Sequence, residues 1–276
     1  MNKPTGNQRW RNGADSYRPP AETISTRDYE VAPIEGDAEA KRFVERHHYS
    51  GTYPAARFRY GLFHGGVQLV GVAVFSVGMN PRTITNALPT EDASAGVVLG
   101  RFVLLDSVPG NGETWFLGQC FAALKKHDLC GVVSFSDPMP RWALSGDVAF
   151  RGHLGTIYQA HNARHVGRST SRTLRLLPDG RTFSARAMSK IRSADTGWRY
   201  AARQLVEAGA DEPGCLAWGG SEGDPEELRR WLAGVQESEV LRKARHPGNH
   251  KYAWAFNSRE LRPNPTCYPK SLENPV

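Results

Sequence analysis

Residues 132–141, VVSFSDPMPR, and residues 152–167, GHLGTIYQAHNARHVG, carry the stretch on which the fold turns. Val132 to Ser136 predicts a short buried strand that delivers Asp137 to its carboxyl end. A helix carrying Tyr158 and His161 is expected to follow, with Gly167 where it should stop. In open α/β sheets, ligands bind beyond the carboxyl ends of strands. An acid at such an end, with a tyrosine returned by the next helix, is a way to build a catalytic cleft.

Outward from that stretch the pattern repeats. Val97 to Leu105 predicts a strand with Arg101 near its middle, and the Gly-rich segment after it leads into an amphipathic helix, Thr114 to His127. Asp37 is placed to cap a helix that runs through Val44 toward His48. Residues 57–63 alternate, HisGlyGly turns, and Val67 to Val77 predicts the partner strand, with Gly71 marking a bulge or a close backbone approach. Residues 78–96 are expected as a loop, and LeuProAspGlyArg (177–181) as the turn of a hairpin. The order is that of an α/β protein.

Residues 1–30 are polar and broken by Gly and Pro, the composition of a mobile tail. The expected organisation is that tail, a catalytic domain over 31–183, and a mostly helical basic appendage over 184–276. In the appendage, helices are predicted at SARAMSKIR, at WRYAARQLVEAG ending on Gly209, and at DPEELRRWL capped by Asp224 with proline in its first turn. A strand is predicted at 250–256.

Of the 276 residues, 39% are hydrophobic and 10% aromatic, enough for a real core. No apolar run approaches a membrane span, and scattered Cys120, Cys130, Cys215 and Cys267 form no disulfide or zinc pattern. A soluble, cytoplasmic protein without a membrane partner is the expectation. The net charge is +7 and the pI about 9.4. Between Arg164 and Arg203 ten Arg or Lys stand against Asp179 and Asp195 alone, which favours a polyanion over a merely solvated surface.

ProGlyAsnGly (109–112) lies between a strand and a helix, where exposed amides suit a pyrophosphate. It lacks both the GxGxxG of a dinucleotide fold and the lysine of a P-loop. The whole order resembles the GNAT (acetyltransferase-like) fold, a mixed sheet flanked by helices. That resemblance implies a site for acetyl-CoA or a related CoA donor at Pro109, Gly110, Asn111 and Gly112, and gives Tyr158 the place of the acid that protonates the leaving thiolate. HisHisTyrSerGly (47–51) falls at a helix end and offers imidazole and phenol as acid, base or metal ligand. His153, His161 and His165 read as surface or polyanion contacts rather than zinc ligands, and HisProGlyAsnHis (246–250) as a tight turn.

HisTyrSer near residue 49, the strand with Arg101, SerPheSerAsp (134–137) and GlyHisLeuGlyThrIleTyrGlnAla together resemble the Mom family of bacteriophage DNA-modification proteins. The resemblance covers roughly residues 40–180. It implies a GNAT-like enzyme, made in the bacterial host cell, that places a carbamoylmethyl group on adenine N6 of double-stranded DNA and shields it from restriction. By position it implies His48, Tyr49, Arg101, Ser136, Asp137 and Tyr158 as the reactive cluster. Residues 139–151 are an insertion relative to compact members, expected as a lid or substrate loop.

The chemistry bears on the same cluster. A carbamoylmethyl group joins N6 through a methylene carbon, and drawing it from acetyl-CoA requires breaking an unactivated C–H bond. His48, Tyr49, Asp137 and Tyr158 would suit a redox-active iron for that step; without it, Asp137 and Tyr158 are simple base and acid. The target base is expected to leave the duplex, with Phe135, Trp142 or Tyr53 to stack on it. Arg164, Arg168, Lys190, Arg192 and Lys251 are expected to contact phosphates. Two other readings are a conventional N-acetyltransferase and a non-catalytic DNA-binding protein on the same scaffold.

Overall fold

A computed structural model describes residues 7–11, 14–19, 21–217, 223–257 and 260–274. In chain order the elements are β1 (Asn7–Arg11), β2 (Ala14–Arg18), β3 (Tyr29–Pro33), α1 (Ala38–His47), β4 (Ala56–His64), β5 (Gln68–Ser76), α2 (Arg82–Thr85), β6 (Gly96–Leu104), α3 (Gly112–Leu124) and β7 (Gly131–Ser136). There follow β8 (Arg141–Trp142), β9 (Val148–Phe150), α4 (Thr156–Ala160), β10 (Arg164–Arg168), β11 (Arg172–Leu176), β12 (Thr182–Phe183) and α5 (Ala185–Arg192). The last are α6 (Trp198–Glu207), α7 (Gly214–Ala217), α8 (Pro225–Glu237), β13 (Arg242–His246) and β14 (His250–Ala255).

Contacts divide the chain into two compact units, and the division does not fall at residue 184. One unit holds the chain through Pro138, His153–Ser169 and Asn249–Ser271; the other holds Met139–Gly152, Thr170–Gly248 and the chain from Leu272.

The first unit is built on a seven-stranded sheet in the order β3-β4-β5-β6-β7-β14-β10, antiparallel except for the parallel pair β6 and β7. This is the expected mixed sheet of an α/β fold. β5 explains the layering, because its residues are apolar on both faces. Val72 and Val74 pack with Ala40 and Val44 of α1, while Ala73 and Phe75 join Phe116, Leu117 and Phe121 of α3. A strand covered on both sides reads as a continuous apolar run instead of an alternation. At Gly131 of β7 a Cβ would stand 2.2 Å from the Trp254 carbonyl oxygen, so only glycine lets β14 lie alongside. Gly71 is similarly crowded, 3.2 Å from Leu62, Leu104 and the Val103 carbonyl, beside a register shift at Leu62/Phe63.

Three expectations change here. The helix after β7 is only α4, which starts after Gly155 at φ +69° and stops before Asn162 at φ +60°. Those two left-handed residues cut it short, and Arg164–Arg168 becomes the edge strand β10. The strand predicted in the appendage, β14, instead enters this sheet between β7 and β10. The segment expected as a mobile tail contains the hairpin of β1 and β2, and Arg9 on it is buried.

The second unit carries the sheet β12-β11-β13, the hairpin of β8 and β9, and α5 to α8. Its core joins Met188 and Ile191 of α5, Trp198, Ala202 and Leu205 of α6, and Leu228, Leu232 and Val235 of α8. The caps are those the sequence announces: Asp224 accepts from the Glu226 N–H with Pro225 behind it, and Gly209 at φ +107° closes α6. Residues 139–151 are not a free lid. Met139 is buried with Leu174, Leu176 and Ala244, and Arg141 lies 4.3 Å over the Phe150 ring. Among the described residues no helix is long and apolar enough to cross a membrane.

Candidate active site

The parallel pairing of β6 and β7 runs from Gly96↔Gly131 to Leu99↔Ser134, and the ladder stops there. Beyond it, β6 continues as Gly100 and Arg101 while β7 continues as Phe135 and Ser136 and stays paired with β14 through Ser136↔His250. On its other side β6 pairs Leu99 with Phe75 and Arg101 with Val74, so Gly100 is the extra residue of a bulge. Bulges re-aim side chains and end pairing. The end of the ladder and the bulge together set Arg101 beside the opening.

Arg101 is held by the loop after α1. Its Nε donates to the Thr52 carbonyl at 2.8 Å, one terminal nitrogen to Thr52 Oγ1 at 2.6 Å, and the other to the Gly100 carbonyl at 2.5 Å. Burial lowers its pKa, and Tyr49 and Tyr158 oppose that by favouring the cation. His48 follows α1, its N–H donating to the Val44 carbonyl at 2.9 Å. Desolvation, then the Arg101 and His153 charges, bring its pKa well below the ordinary histidine value, so the ring is neutral at pH 7. The Ser50 Oγ, 2.9 Å from Nδ1, serves either tautomer, whereas the Ser50 N–H donates to the same nitrogen at 3.1 Å only when the ring proton is on Nε2. With the proton on Nδ1, Nε2 is an acceptor.

Tyr49 stacks on His48 with centroids 4.2 Å apart and meets His153 at 5.9 Å, its hydroxyl 3.4 Å from His153 Nε2. Tyr158 lies between the rings of Tyr252 (5.5 Å) and Trp254 (5.7 Å). Burial raises its phenol pKa, while the Ser134 hydroxyl and Arg101 pull it down. Ser134 itself donates to the Leu99 carbonyl at 3.1 Å, at the last rung of the parallel ladder. The result is a protonated phenol, a neutral imidazole and a partly desolvated guanidinium in one cluster.

The structure therefore brings together His48, Tyr49, Arg101 and Tyr158. Asp137 is half-buried at the end of β7, its carbonyl accepting from the His153 N–H at 2.8 Å. Ser134 lies beside Tyr158, whereas Ser136 lies beside Tyr252. The Ser136 hydroxyl is fully buried there, without a well-formed hydrogen bond. His153 joins the cluster, although the sequence placed it among surface histidines. His161 and His165 are not on the surface either: His161 packs 5.0 Å from Phe121, and buried His165 sits 3.2 Å from His250 Nδ1. Asp37 does not cap α1; its carboxylate accepts from Arg59 at 2.6 Å and from the Tyr53 hydroxyl at 3.1 Å.

Of the residues named for iron, His48, Tyr49 and Tyr158 share their cluster with the Arg101 cation. Among the described residues, no three His, Cys, Asp or Glu side chains converge as a metal site. The Arg101 cation acts on His48, Tyr49 and Tyr158 alike, which suits an electron-rich group better than a metal ion. In the loop at 109–112, two backbone amides and the Asn111 side-chain oxygen are engaged within the protein. The Gly110 N–H donates to Glu22 at 2.8 Å, the Gly112 N–H to the Pro109 carbonyl at 2.9 Å, and Asn111 Oδ1 accepts from the Ile24 N–H at 2.7 Å. The Glu22 carboxylate stands where the anion was expected, at the positive end of α3.

That loop is also the anchor of β1. Arg9 donates to Glu113 at 2.8 Å and to the carbonyls of Leu105 (2.6 Å), Val108 (2.5 Å) and Pro109 (3.1 Å). The next residue, Trp10, meets Tyr49 edge-on at 6.3 Å. AsnGly at 12–13 between two alternating runs is a hairpin signal that could have located this element.

The expected phosphate contacts divide. Arg164 and Arg168 are exposed on β10 in the first unit, and Arg192 is exposed at the end of α5 in the second. Lys190 is half-buried, and Lys251 on β14 has its pKa lowered by burial, so neither is a freely solvated cation. Arg175 is half-buried against Gln236, and Arg181 pairs with Asp179.

A family model described as the Mom protein family matches residues 28–212. No curated protein matches the chain. Among solved structures, the chain is similar to a tandem GNAT protein from the clavulanic acid biosynthesis pathway, solved without AcCoA, at 11% identity and a TM-score of 0.41, over 82% of this chain and 98% of that one. It is also similar to malonyl-CoA decarboxylase from Cupriavidus metallidurans at 15% identity and a TM-score of 0.30, over 83% of this chain and 61% of that one. Neither likeness is close enough to carry an argument about chemistry.

Proposed function

Because the chain belongs to the Mom protein family, we propose that it modifies DNA, transferring a carbamoylmethyl or related group to adenine N6. The observation that carries the reading is the cluster of neutral His48, protonated Tyr158 and cationic Arg101 where the β6–β7 ladder ends. Transfer of a carbamoylmethyl group to an exocyclic amine, from a donor that carries a leaving group on the methylene carbon, breaks the carbon–leaving-group bond and needs a proton taken from the amine and a proton given to the leaving group. The amine nitrogen forms the new C–N bond and gives up one proton to His48 Nε2. The leaving group departs with the bonding pair and receives the Tyr158 proton. Arg101 stabilises the negative charge that develops between those events, in a site dry enough to strengthen it.

Asp137 remains a proposed site residue from its position at the carboxyl end of β7, and Arg164, Arg168 and Arg192 remain proposed phosphate contacts. A conventional acetyl-CoA-dependent transferase is disfavoured by the engaged loop at 109–112. Nucleoside mass spectrometry on plasmid DNA from expressing cells is the test. Modified adenine with wild type, lost in folded Tyr158→Phe and in folded His48→Gln, is expected. Unmodified DNA from cells containing soluble wild-type protein overturns the reading.

A further inference from the structure

We propose that Trp10, with Tyr49 edge-on at 6.3 Å beside it, supplies the aromatic platform on which the extruded adenine stacks; this rests on the DNA-modification reading above. Adenine chemistry at N6 requires the base to leave the duplex, and an extruded base is held by stacking on aromatic faces. Of the residues the sequence offered for stacking, Tyr53 has its hydroxyl bonded to Asp37, and Phe135 packs with Val133, Val166 and Ala253.

Trp10 and Tyr49 have the right exposure. Tyr49 is 38% exposed and Trp10 is half-buried, whereas Trp198 and Trp254 are at 5% and 7%. The Tyr49 ring also joins His48 and His153, so the aromatic surface is continuous with the polar cluster that contains Arg101.

The surface is also fixed in place. On a strand, successive side chains point to opposite faces, so burying Arg9 turns Trp10 the other way. The four hydrogen bonds of Arg9, together with Ser16 Oγ to Asp106 at 3.0 Å, tie the hairpin to the β6–α3 connection. A rigid, half-open aromatic ring is pre-organised for stacking and loses little entropy on binding. A purine, with its larger π face, is the ligand class the platform takes.

The test uses the full-length protein and a duplex carrying a plasmid sequence in which mass spectrometry of oligonucleotide fragments locates modified adenine. One form of the duplex carries the target adenine mispaired, and the other an abasic residue in its place. Base–aromatic stacking corresponds to about a ten-fold or greater preference for the adenine form. Trp10→Leu, which keeps apolar volume without a π face, is expected to abolish that preference while leaving abasic-duplex affinity unchanged; Trp10→Phe is expected to retain most of it. Equal preference in wild type and folded Trp10→Leu overturns the platform. If wild type leaves plasmid adenine unmodified, the functional reading itself falls, and this proposal with it. Loss of folding in Trp10→Leu transfers the decision to Tyr49→Leu, judged by the same preference.

Discussion

Replacing Arg9 with methionine puts a number on how firmly the hairpin is held. Arg9 and Glu113 have side chains only 3% and 4% exposed, and the same guanidinium serves three backbone carbonyls. Methionine fills similar volume but leaves Glu113 buried without its cation. Removing one partner of a buried pair costs about 3–5 kcal/mol, a large part of the roughly 5–15 kcal/mol that stabilises a folded protein. For a chain of this size, the midpoint of thermal unfolding should fall by roughly 10 °C. The loss depends on pH. Burial raises the Glu113 pKa and Arg9 opposes that rise, so Arg9→Met raises it further. A carboxyl whose folded pKa is raised contributes most below its unfolded value, and the contribution is lost as pH climbs through the folded pKa. The variant should therefore lose least near pH 5, where only the three carbonyl contacts are missing, and more at pH 8, where the stranded Glu113 charge adds to them. Adding Glu113→Gln should recover at least about 1 kcal/mol at pH 8 by removing the stranded charge. Denaturant titrations followed by circular dichroism at both pH values are the assay. A loss under about 1 kcal/mol at pH 8, or an equal loss at both pH values, refutes a buried, ionised pair as the hairpin's anchor.

His48 should remain neutral well below pH 6.5 when its ring is followed by NMR, because desolvation and the Arg101 and His153 charges disfavour its cation. As the folded state resists that proton, the group's contribution to stability fades as pH falls below about 6.5; a titration at the ordinary value would contradict the assigned environment. Gly155→Ala should cut adenine modification more than it cuts stability. It forces a side chain onto a residue at φ +69° with Tyr158 and Tyr252 carbons 2.7 and 2.8 Å from the new Cβ; unchanged modification would separate Tyr158 from the chemistry. Arg164→Ala with Arg168→Ala should weaken binding to many duplexes alike and reduce the salt slope by about 1.8, at about 0.9 per phosphate. An unchanged slope in electrophoretic titrations would leave those edge arginines without a phosphate.

Much of the framework is legible because local patterns and local physics agree. The β4–β5 hairpin, the β6 strand with Arg101, α3, β7 with Asp137, and the caps at Asp224 and Gly209 follow from periodicity, turn residues and capping chemistry. His48, Tyr49 and Tyr158 were marked by residue type and family resemblance. The sequence was less informative wherever a residue's role depends on a distant partner. Ser134 and Ser136 have the same type and the same strand face. Only pairing with β6 and packing of Tyr158 separate them. Arg9 looks like any tail arginine until Glu113, 104 residues away, makes its burial affordable. The amides at 109–112 look open until Glu22 and Ile24 take up two of the loop's polar groups.

The amino-acid sequence by itself determined the α/β class and most of the elements, since these rest on contacts within a few residues. Only the tertiary structure decided that β14 lies between β7 and β10, with Thr170–Gly248 assigned to a second unit. The physical reason is that a strand's edge hydrogen bonds name no partner. β14 enters the sheet because Gly131 admits its backbone and the α3 core receives Tyr252 and Trp254, conditions set by residues more than a hundred positions away.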